Sequence, residues 1–496
     1  MDTDQEPDDF LHSPRQEEYA TVDRTQSHYN PLHTFALEKV KQYQQQYGDM
    51  YFLRLARLKP AVEEIAAAAW ATVKLGDEAV RRVDRVLDVR QGELSWVAGT
   101  VYLDMPLKPN ILDDISKDHW ISAPPPREKY LSPTGNDQIM LEDESGRLRL
   151  MGTTLSSELL VTGCIIAVMG TENANGDFEV MDIKLPELPR QPQRWERDDS
   201  ATITDGQKTT QTRREDGKVA LVSGLGISGD QANNLSLELL MEFLTGEAGS
   251  TKSQMSSANI NRLIIAGNSI AEATPLPAQE EIVSKKSIKK YGYDAAAYNP
   301  APTAQFDAFL STILPSIPVT LLPGDGDPAN VSLPQQPLHP ALFPHSRAYA
   351  APPVNAEQQE PGWMDSVSNP WDGDIQGWRM LGTGGQPVDD VFKYVEGDDR
   401  LEMMERLLRW RCCAPTAPDT LWCYPFQTHD PFILTECPHV FFVGNQPRFE
   451  TTVIRGELGE RVRLIALPKF KETGEIVLLD LETLEVEVVK FEVPAS

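Results

Sequence analysis

At 496 residues the chain is long enough for two to four domains and a large core, and 40% hydrophobic against 24% charged residues is the balance of a globular fold in water. A formal net charge of −28 argues against unaided, sequence-independent DNA binding, which needs lysine and arginine to displace counterions from phosphates, and fits a solvated acidic surface or a basic partner. Five cysteines exclude a disulfide framework and point to a reducing compartment, and the best apolar run, Leu159 to Met169, is too short for a membrane helix and is broken by Thr162 and Gly163.

Residues 1–28 are polar and acidic and read as a disordered tail. Residues 29–75 read as a helical lead-in. Phe35, Leu37, Val40, Tyr43 and Tyr47, then Tyr51, Leu55 and Leu58, recur at helical spacing, and Gly48 and Pro60 divide the run into two or three helices. From Glu93 to Leu103 the period is two, as in a half-buried strand, with Gly99 suited to a bulge. A proline-rich insertion containing Ala123–Pro126 precedes a hairpin from Gln138 to Leu150 that turns at Ser145–Gly146, and two more strands cover Gly163–Met169 and Phe178–Ile183. Residues 85–189 therefore read as a small closed barrel of the OB type. Such barrels often bind single-stranded nucleic acid through basic and aromatic residues. Here those are few and acidic residues crowd the hairpin, so protein docking is the main reading and nucleic-acid binding the alternative.

Residues 190–217 lack apolar periodicity and read as a linker. From 218 to 496 strands and helices alternate, the pattern of a layered α/β domain. The strand Val219–Val222 ends in Gly224-Leu225-Gly226, and a helix follows at Leu235–Leu244. Arg262–Ala266 ends in Gly267-Asn268, and a helix at Phe306–Ile313 leads to the apolar run Ile317–Leu322, which ends in Pro323-Gly324-Asp325-Gly326-Asp327. A helix, Leu401–Arg411, precedes the strand Val440–Val443, which ends in Gly444-Asn445, and Val462–Leu467 and Glu475–Phe491 alternate as β-strands. Asp325 and Asp327 thus lie just past a strand's carboxyl end, where open α/β sheets hold ligands and metals.

Strands that each end in a glycine loop resemble the layout of the calcineurin-like metallophosphoesterases. Their two-metal site uses loops patterned Asp-x-His, Gly-Asp-x-x-Asp, Gly-Asn-His-Asp, a lone His and Gly-His-x-His, because two divalent ions must clamp a phosphate and activate a water. Against that pattern this chain has Gly224 and Gly226 for Asp-x-His, and Asn268 and Ala271 in the second loop. It has Asp325, Gly326 and Asp327 in the third, Cys412 for the lone His, and Asn445 and Pro447 in the last. The resemblance implies a kept fold without its metal ligands, no catalytic residues and no cofactor.

The intervening stretches narrow the resemblance. Leu333-Pro334-Gln335-Gln336-Pro337-Leu338-His339-Pro340, Leu381–Gln386, Ala414–Leu421, Asp430–Ile433 and Glu436–Phe442 are similar to the small, B-type subunits of replicative DNA polymerases, and within them to the second-subunit family of DNA polymerase delta. The match runs over residues 30 to 490, leaving the tail and the linker uncovered and Ala351–Trp371 loosely covered. It implies a nuclear, non-catalytic scaffold in DNA replication and repair. Such a scaffold bridges the cysteine-rich C-terminal domain of the delta catalytic subunit to the third subunit of the complex. The same subunit serves the polymerase zeta catalytic subunit, touches DNA only through the complex, and has no membrane partner.

The runner-up is a phosphoesterase with a reduced metal site drawn from Asp325, Asp327, His339, His429 and His439. The plainer reading makes the aspartates organisers of a turn and His339 a structural residue in a proline-locked loop. Cys412, Cys413, Cys423 and Cys437, near His429 and His439, raise zinc, but without a Cys-x-x-Cys pair they read as buried thiols. Lys285-Lys286 and Lys289-Lys290 read as a solvated face, with nuclear import or DNA contact as the alternative. Trp363, Trp371 and Trp378 fall in a Gly- and Asp-rich loop, either as core anchors or as exposed anchors for a partner.

Overall fold

A computed structural model describes residues 22–38, 41, 46–109, 127–133, 135–194, 217–229, 235–247, 251–271, 299–352 and 361–492. The acidic tail to residue 21, the Ala123–Pro126 insertion, most of the linker and the Lys285–Lys290 cluster lie outside the described residues.

Strand β1 (Tyr29–Pro31) opens the ordered chain and is followed by helix α1 (Tyr47–Trp70). The lead-in is therefore not helical throughout: β1 lies at the edge of a sheet far along the chain, where the Tyr29 hydroxyl donates to Asp365 Oδ2 at 2.5 Å and the Arg262 guanidinium sits 3.8 Å from its ring. Nor do Gly48 and Pro60 divide α1, which holds both inside one helix. Gly48 is in the first turn, where backbone N–H groups lack intrahelical partners anyway. Pro60 withholds its N–H from the carbonyl of Ala56, but both residues are exposed, so water can satisfy that carbonyl.

After α1, β2 (Lys74–Leu75) and β3 (Glu78–Ala79) pair as a separate two-stranded ribbon, and the barrel sheet begins with β4 (Arg81–Arg82). Its body is β5 (Leu94–Asp104), β6 (Gln138–Glu142), β7 (Arg147–Met151), β8 (Ile165–Glu172) and β9 (Phe178–Lys184). β5 pairs antiparallel with both β6 and β8, which closes the sheet. Gly99 is not at a bulge. It sits where β5 crosses between its two partners, and a Cβ there would lie 2.7 Å from the Glu142 carbonyl oxygen. β5 is buried on both faces rather than one: Val97, Val101 and Leu103 face the barrel interior, while Leu94, Trp96 and Ala98 meet Leu55, Leu58, Val62, Ala66 and Trp70 of α1. Those α1 positions follow a single helical stripe, so the period-two signal was right and the second face is covered by the helix.

Residues 218 onward, joined by β1, form two six-stranded sheets packed face to face. In the first, β10 (Lys218–Val222), β11 (Ile260–Ala266), β12 (Val319–Leu322) and β13 (Met364–Ser366) run parallel, and β19 (Glu475–Asp480) and β20 (Val486–Lys490) add antiparallel strands beside β10. In the second, β15 (Trp378–Thr383), β16 (Val440–Gln446) and β18 (Arg461–Pro468) run parallel, flanked by antiparallel β14 (Trp371–Ile375) and β17 (Glu450–Arg455), with β1 outermost beside β14. Val219, Leu221, Ile264 and Leu322 interlock with Met380, Val440, Phe442 and Ile465 between the sheets.

Helices α2 (Leu235–Thr245), α3 (Thr251–Ala258) and α4 (Ala301–Ile313) lie with the first sheet, α2 and α4 packing on its outer face. Helices α5 (Gln386–Tyr394) and α6 (Arg400–Arg409) cover the second sheet, and their core is continuous with the barrel interior. The stretch read as a tryptophan loop is largely a hairpin of β14 and β15: Trp371 is buried between the sheets, and Trp378 donates to the Leu481 carbonyl at 2.5 Å. Trp363 packs partly buried on the core of the first sheet.

Two segments read as tail or linker are held by polar contacts that hydrophobic periodicity does not register. Arg24 donates to the carbonyls of Leu244, Ser257 and Ile260 at 2.7 Å each. Gln191 Nε2 donates to the carbonyls of Pro438 and Arg461, and Arg194 Nε to that of Gln376 at 2.8 Å.

Candidate functional site

Parallel order brings the carboxyl ends of β10, β11 and β12 side by side, and the facing sheet adds the ends of β15 and β16. Backbone bonds zip the first three loops together. The Gly224 N–H donates to the Gly267 carbonyl at 2.9 Å, Gly226 to Asn268 at 3.0 Å, and Asn268 Oδ1 accepts from the Gly326 N–H at 2.9 Å. Asn268 and Asn445 hold positive φ values of 52° and 59°, a left-handed conformation that short amide side chains tolerate and most residues avoid. The packing leaves no room for larger groups. A Cβ on Gly324 would lie 2.3 Å from the Asn268 backbone nitrogen, and one on Gly444 2.2 Å from the Ala266 carbonyl oxygen.

Asp327 is buried here, and both of its oxygens are committed: Oδ1 accepts from the Ile270 N–H at 3.0 Å and Oδ2 from the Gly324 N–H at 2.8 Å. Burial raises its pKa, and the backbone donors work against that rise. Asp325, two residues earlier, points outward and is exposed. Asn445 Nδ2 donates to the carbonyls of Gly384 at 2.8 Å and Ala266 at 3.3 Å, and its own N–H is held by Ser223 Oγ at 2.9 Å.

Gln335, from the loop after β12, and Asn369 and Gln386, from connections of the facing sheet, join this cluster through amides that the sequence reading did not single out as site residues. Gln335 Nε2 donates to the Gly324 carbonyl at 3.0 Å. Gln335 Oε1 accepts from Asn369 Nδ2 at 2.8 Å and Gln386 Nε2 at 2.9 Å, and Asn369 Oδ1 accepts from the Gly384 N–H at 2.9 Å. Gln335 and Gln386 belong to the long proline- and glycine-containing motifs, which was the available signal. Asn369 carried none, while Gln446, which follows Asn445 at the end of β16 and donates from Nε2 to the Gly444 carbonyl at 3.0 Å, stood in the last glycine motif.

A binuclear metal centre does not fit these residues. Gly224 and Gly226 have no side chain, and the Lys471 side chain lies 2.7 Å from where a Cβ of Gly226 would be. Asp327 faces backbone N–H groups, and Asn445 aims an N–H-bearing nitrogen at carbonyls. Ala271 is half-buried and Pro447 exposed. Among the described residues, no group of three or more His, Cys, Asp or Glu is arranged to hold an ion.

The remaining candidates lie elsewhere. Cys412 is not in the cluster. The strand end adjoining Asn445 on that side carries Gly384, because β15 neighbours β16, whereas Cys412 is buried beyond α6 in a bridge with Ile433. Burial pushes its thiol up to about 11, and those of Cys164, Cys423 and Cys437 up to about 12, so these are unreactive core thiols. His339 is exposed and its Nδ1 accepts from the Ala341 N–H at 3.1 Å, while His429 is exposed. His439 is buried, packs edge-on against Trp378, and accepts from the Arg379 N–H at 3.1 Å.

On the outer barrel surface Tyr102, Met140 and Arg149 line up across β5, β6 and β7, the row on which a base would stack. Lys108 Nζ and the Arg147 guanidinium already lie 4.4 Å and 4.6 Å from the Tyr102 ring centre. Lys108 also pairs with Asp419 at 2.7 Å, and Arg147 with Glu142. Both cations are therefore engaged within the chain.

Charge is concentrated instead where barrel and sheets meet. Arg54 of α1 is buried against Asp430, with Nη2 to Oδ2 at 2.9 Å, and its Nη1 donates to the carbonyls of Pro415 and Ala417 at 2.9 Å each. Lys129 donates to the carbonyls of Phe392 and Val395, at the end of α5. Arg406 of α6 reaches Glu158 at 2.6 Å, and Tyr130 donates to Asp390 at 3.4 Å.

Comparison with known proteins matches residues 219–451 to the family of B subunits of DNA polymerases alpha and epsilon, and residues 46–183 to the DNA polymerase delta subunit OB-fold domain. The chain is 37% identical to the DNA polymerase delta small subunit of Arabidopsis thaliana, over 95% of this chain and 96% of that protein. It is 36% identical to the DNA polymerase delta small subunit of Saccharomyces cerevisiae, over 94% and 93%. It is 32% identical to DNA polymerase delta subunit 2 of Drosophila melanogaster, over 96% and 100%.

Proposed function

This chain belongs to the DNA polymerase delta small-subunit family, and on that premise we propose that it is a non-catalytic assembly subunit of a DNA polymerase delta. In this reading it works in the nucleus and joins the catalytic subunit's C-terminal domain to the third subunit, and it meets DNA only within that assembly. Its phosphoesterase-like domain is an inactive one, kept as a rigid body.

The observation that carries the non-catalytic half is Asp327. It is the buried carboxylate of the strand-end cluster, and it is turned onto backbone donors: it accepts from the N–H groups of Ile270 and Gly324, with those of Ser269 and Asn268 also directed at it, and so closes a turn. The assembly half is supported by the buried seam around Arg54 and Asp430, which fixes the barrel against the two-sheet domain, and by an acidic chain suited to basic partners. Rigid, preorganised surfaces bind partners with less loss of conformational freedom.

The test is reconstitution. The catalytic and third subunits of the same organism's polymerase delta are purified with and without this chain and run on size exclusion. The expected result is one ternary peak that separates into free subunits when this chain is left out. A catalytic subunit and third subunit that associate equally well without it would end the bridging reading.

A further inference from the structure

Hydrogen bonds bring to one seam three distant segments that each carry an exposed apolar side chain. The side chains are Tyr47 at the start of α1, Val331 in the proline-rich loop after β12, and Trp422, with exposures of 43%, 73% and 61%. Backbone pairing fixes their positions. The Tyr47 hydroxyl donates to the Cys423 carbonyl at 3.0 Å. The Leu333 N–H donates to the Trp422 carbonyl, and the Tyr424 N–H to the Leu333 carbonyl, both at 2.8 Å. Leu333 and Cys423 turn inward and are buried, with Cys423 Sγ 3.8 Å from Met50 Sδ, so the indole is carried outward on a stiff base. A large aromatic exposed on a fixed backbone is the kind of residue that dominates protein interfaces, because its burial is large and little side-chain freedom is lost.

The rim carries negative charge. Asp49, two residues after Tyr47, is held by Gln427 Nε2 at 3.3 Å. On the other flank the Leu37 N–H donates to Gln336 Oε1 at 3.1 Å, and the Gln336 N–H to Asn330 Oδ1 at 2.7 Å, which brings the exposed Glu38 beside the loop that presents Val331. The chain as a whole carries −28. An apolar centre within an acidic rim fits a segment with one or more large apolar side chains flanked by lysine or arginine. The seam also draws on both domains, since Tyr47 belongs to the helix on the barrel and the other two residues to the two-sheet domain.

We propose that this seam seats a basic, apolar-centred segment of a partner protein chain, and this rests on the assembly-subunit reading. The probe is the purified polymerase delta catalytic subunit of the same organism, titrated against the full chain and against Trp422→Ala and Val331→Glu. Thermal midpoints are measured in parallel to confirm that these surface changes leave the fold intact. The dissociation constant is expected to rise about 30-fold for Trp422→Ala. The salt dependence of binding is expected to be shallower in a Glu38→Gln/Asp49→Asn double variant.

Binding by the wild type that both surface variants match within about twofold overturns the seam and leaves the assembly reading standing. No binding by the wild type overturns both. A wild-type dimer in sedimentation that Trp422→Ala dissolves, with unchanged affinity for the catalytic subunit, makes the occupant a second copy of this chain and overturns the proposal.

Discussion

The strand-end cluster and the seam between barrel and sheets are both buried and polar, but they are built from opposite materials. At the strand ends the polar groups are amides: Asn268, Gln335, Asn369, Gln386 and Asn445 bond to one another and to backbone, with Asp327 the carboxylate locked among them. At the seam the groups are full charges in opposite-sign pairs, Arg54 with Asp430, Lys108 with Asp419 and Arg406 with Glu158. Neutral amides satisfy loops without creating a field that could grip a metal or a phosphate. Arg54 and Asp430 are costly to separate, because parting them leaves a charge unpaired and buried, while the other two pairs are partly exposed. The pairs Arg54–Asp430, Lys108–Asp419 and Arg406–Glu158 therefore tie barrel to sheets, whereas amides and backbone tie the strand-end loops to one another.

The hardest test of that contrast is to break the seam. Arg54→Ala leaves Asp430 buried without its partner and frees two carbonyls, and the expected loss is about 3–5 kcal/mol in urea unfolding. Replacing both charges, as Arg54→Met with Asp430→Leu, is expected to recover most of it, because a well-packed apolar pair often matches a buried ion pair. A loss below about 1 kcal/mol for the single variant would put the seam in the class of exposed ion pairs and remove the contrast.

A subtler test uses pH. Burial raises the pKa of Asp390, and the hydroxyls of Thr416 and Thr420 and the nearby Lys393 offset only part of that rise. A raised folded value means that the folded state takes up a proton before the unfolded one as pH falls. The stabilising contribution is then complete below the unfolded carboxylate value of 3.8 and is lost as pH rises through the folded value. Wild type should therefore gain on Asp390→Asn during acidification from neutrality, by about 1.4 kcal/mol per pH unit inside that window. A stability gap between the two proteins that stays flat from neutral to mildly acidic pH would show that Asp390 keeps an ordinary carboxylate value.

What the sequence disclosed follows from how each element is stabilised. β10, β11 and β12 were legible because each is a short apolar run with glycine soon after it, and burial on both faces of a parallel sheet demands that apolar pattern. β16 was legible from its apolar run but continues past Gly444 to Gln446, with a register shift after Val443. β14 and β15 were not, since Asp372 and Asp374 mimic a loop. In the structure Asp372 is buried, accepting from Thr34 and pairing with Arg379, contacts made across the chain rather than along it. Of the candidate site, Gly224, Asn268, Asp327 and Asn445 do come together at the strand ends. Cys412 does not, because its assignment depended on which strand ends adjoin, and sheet order is a tertiary fact. Asn369 was invisible for the same reason, standing just ahead of β14 with no motif around it until the two sheets face each other.

The smallest expected effect is a null with manganese. A ligand that binds only the folded state adds stability of about 2.7 kcal/mol when its concentration is a hundred times its dissociation constant, so even a modest site would move the thermal midpoint at millimolar metal. Here the midpoint should be the same with millimolar manganese and with chelator. Turnover of a simple phosphodiester should match the blank and the Asp327→Asn variant alike. Asp327 is buried and turned onto the N–H groups of Ile270 and Gly324, and swinging it out to an ion would leave those donors buried without a partner. A metal-dependent midpoint that Asp327→Asn abolished would mean that the Gly324–Asp327 turn opens at little cost. The strand ends would then be a dormant site, and the contrast with the charged seam would be one of occupancy instead of chemistry.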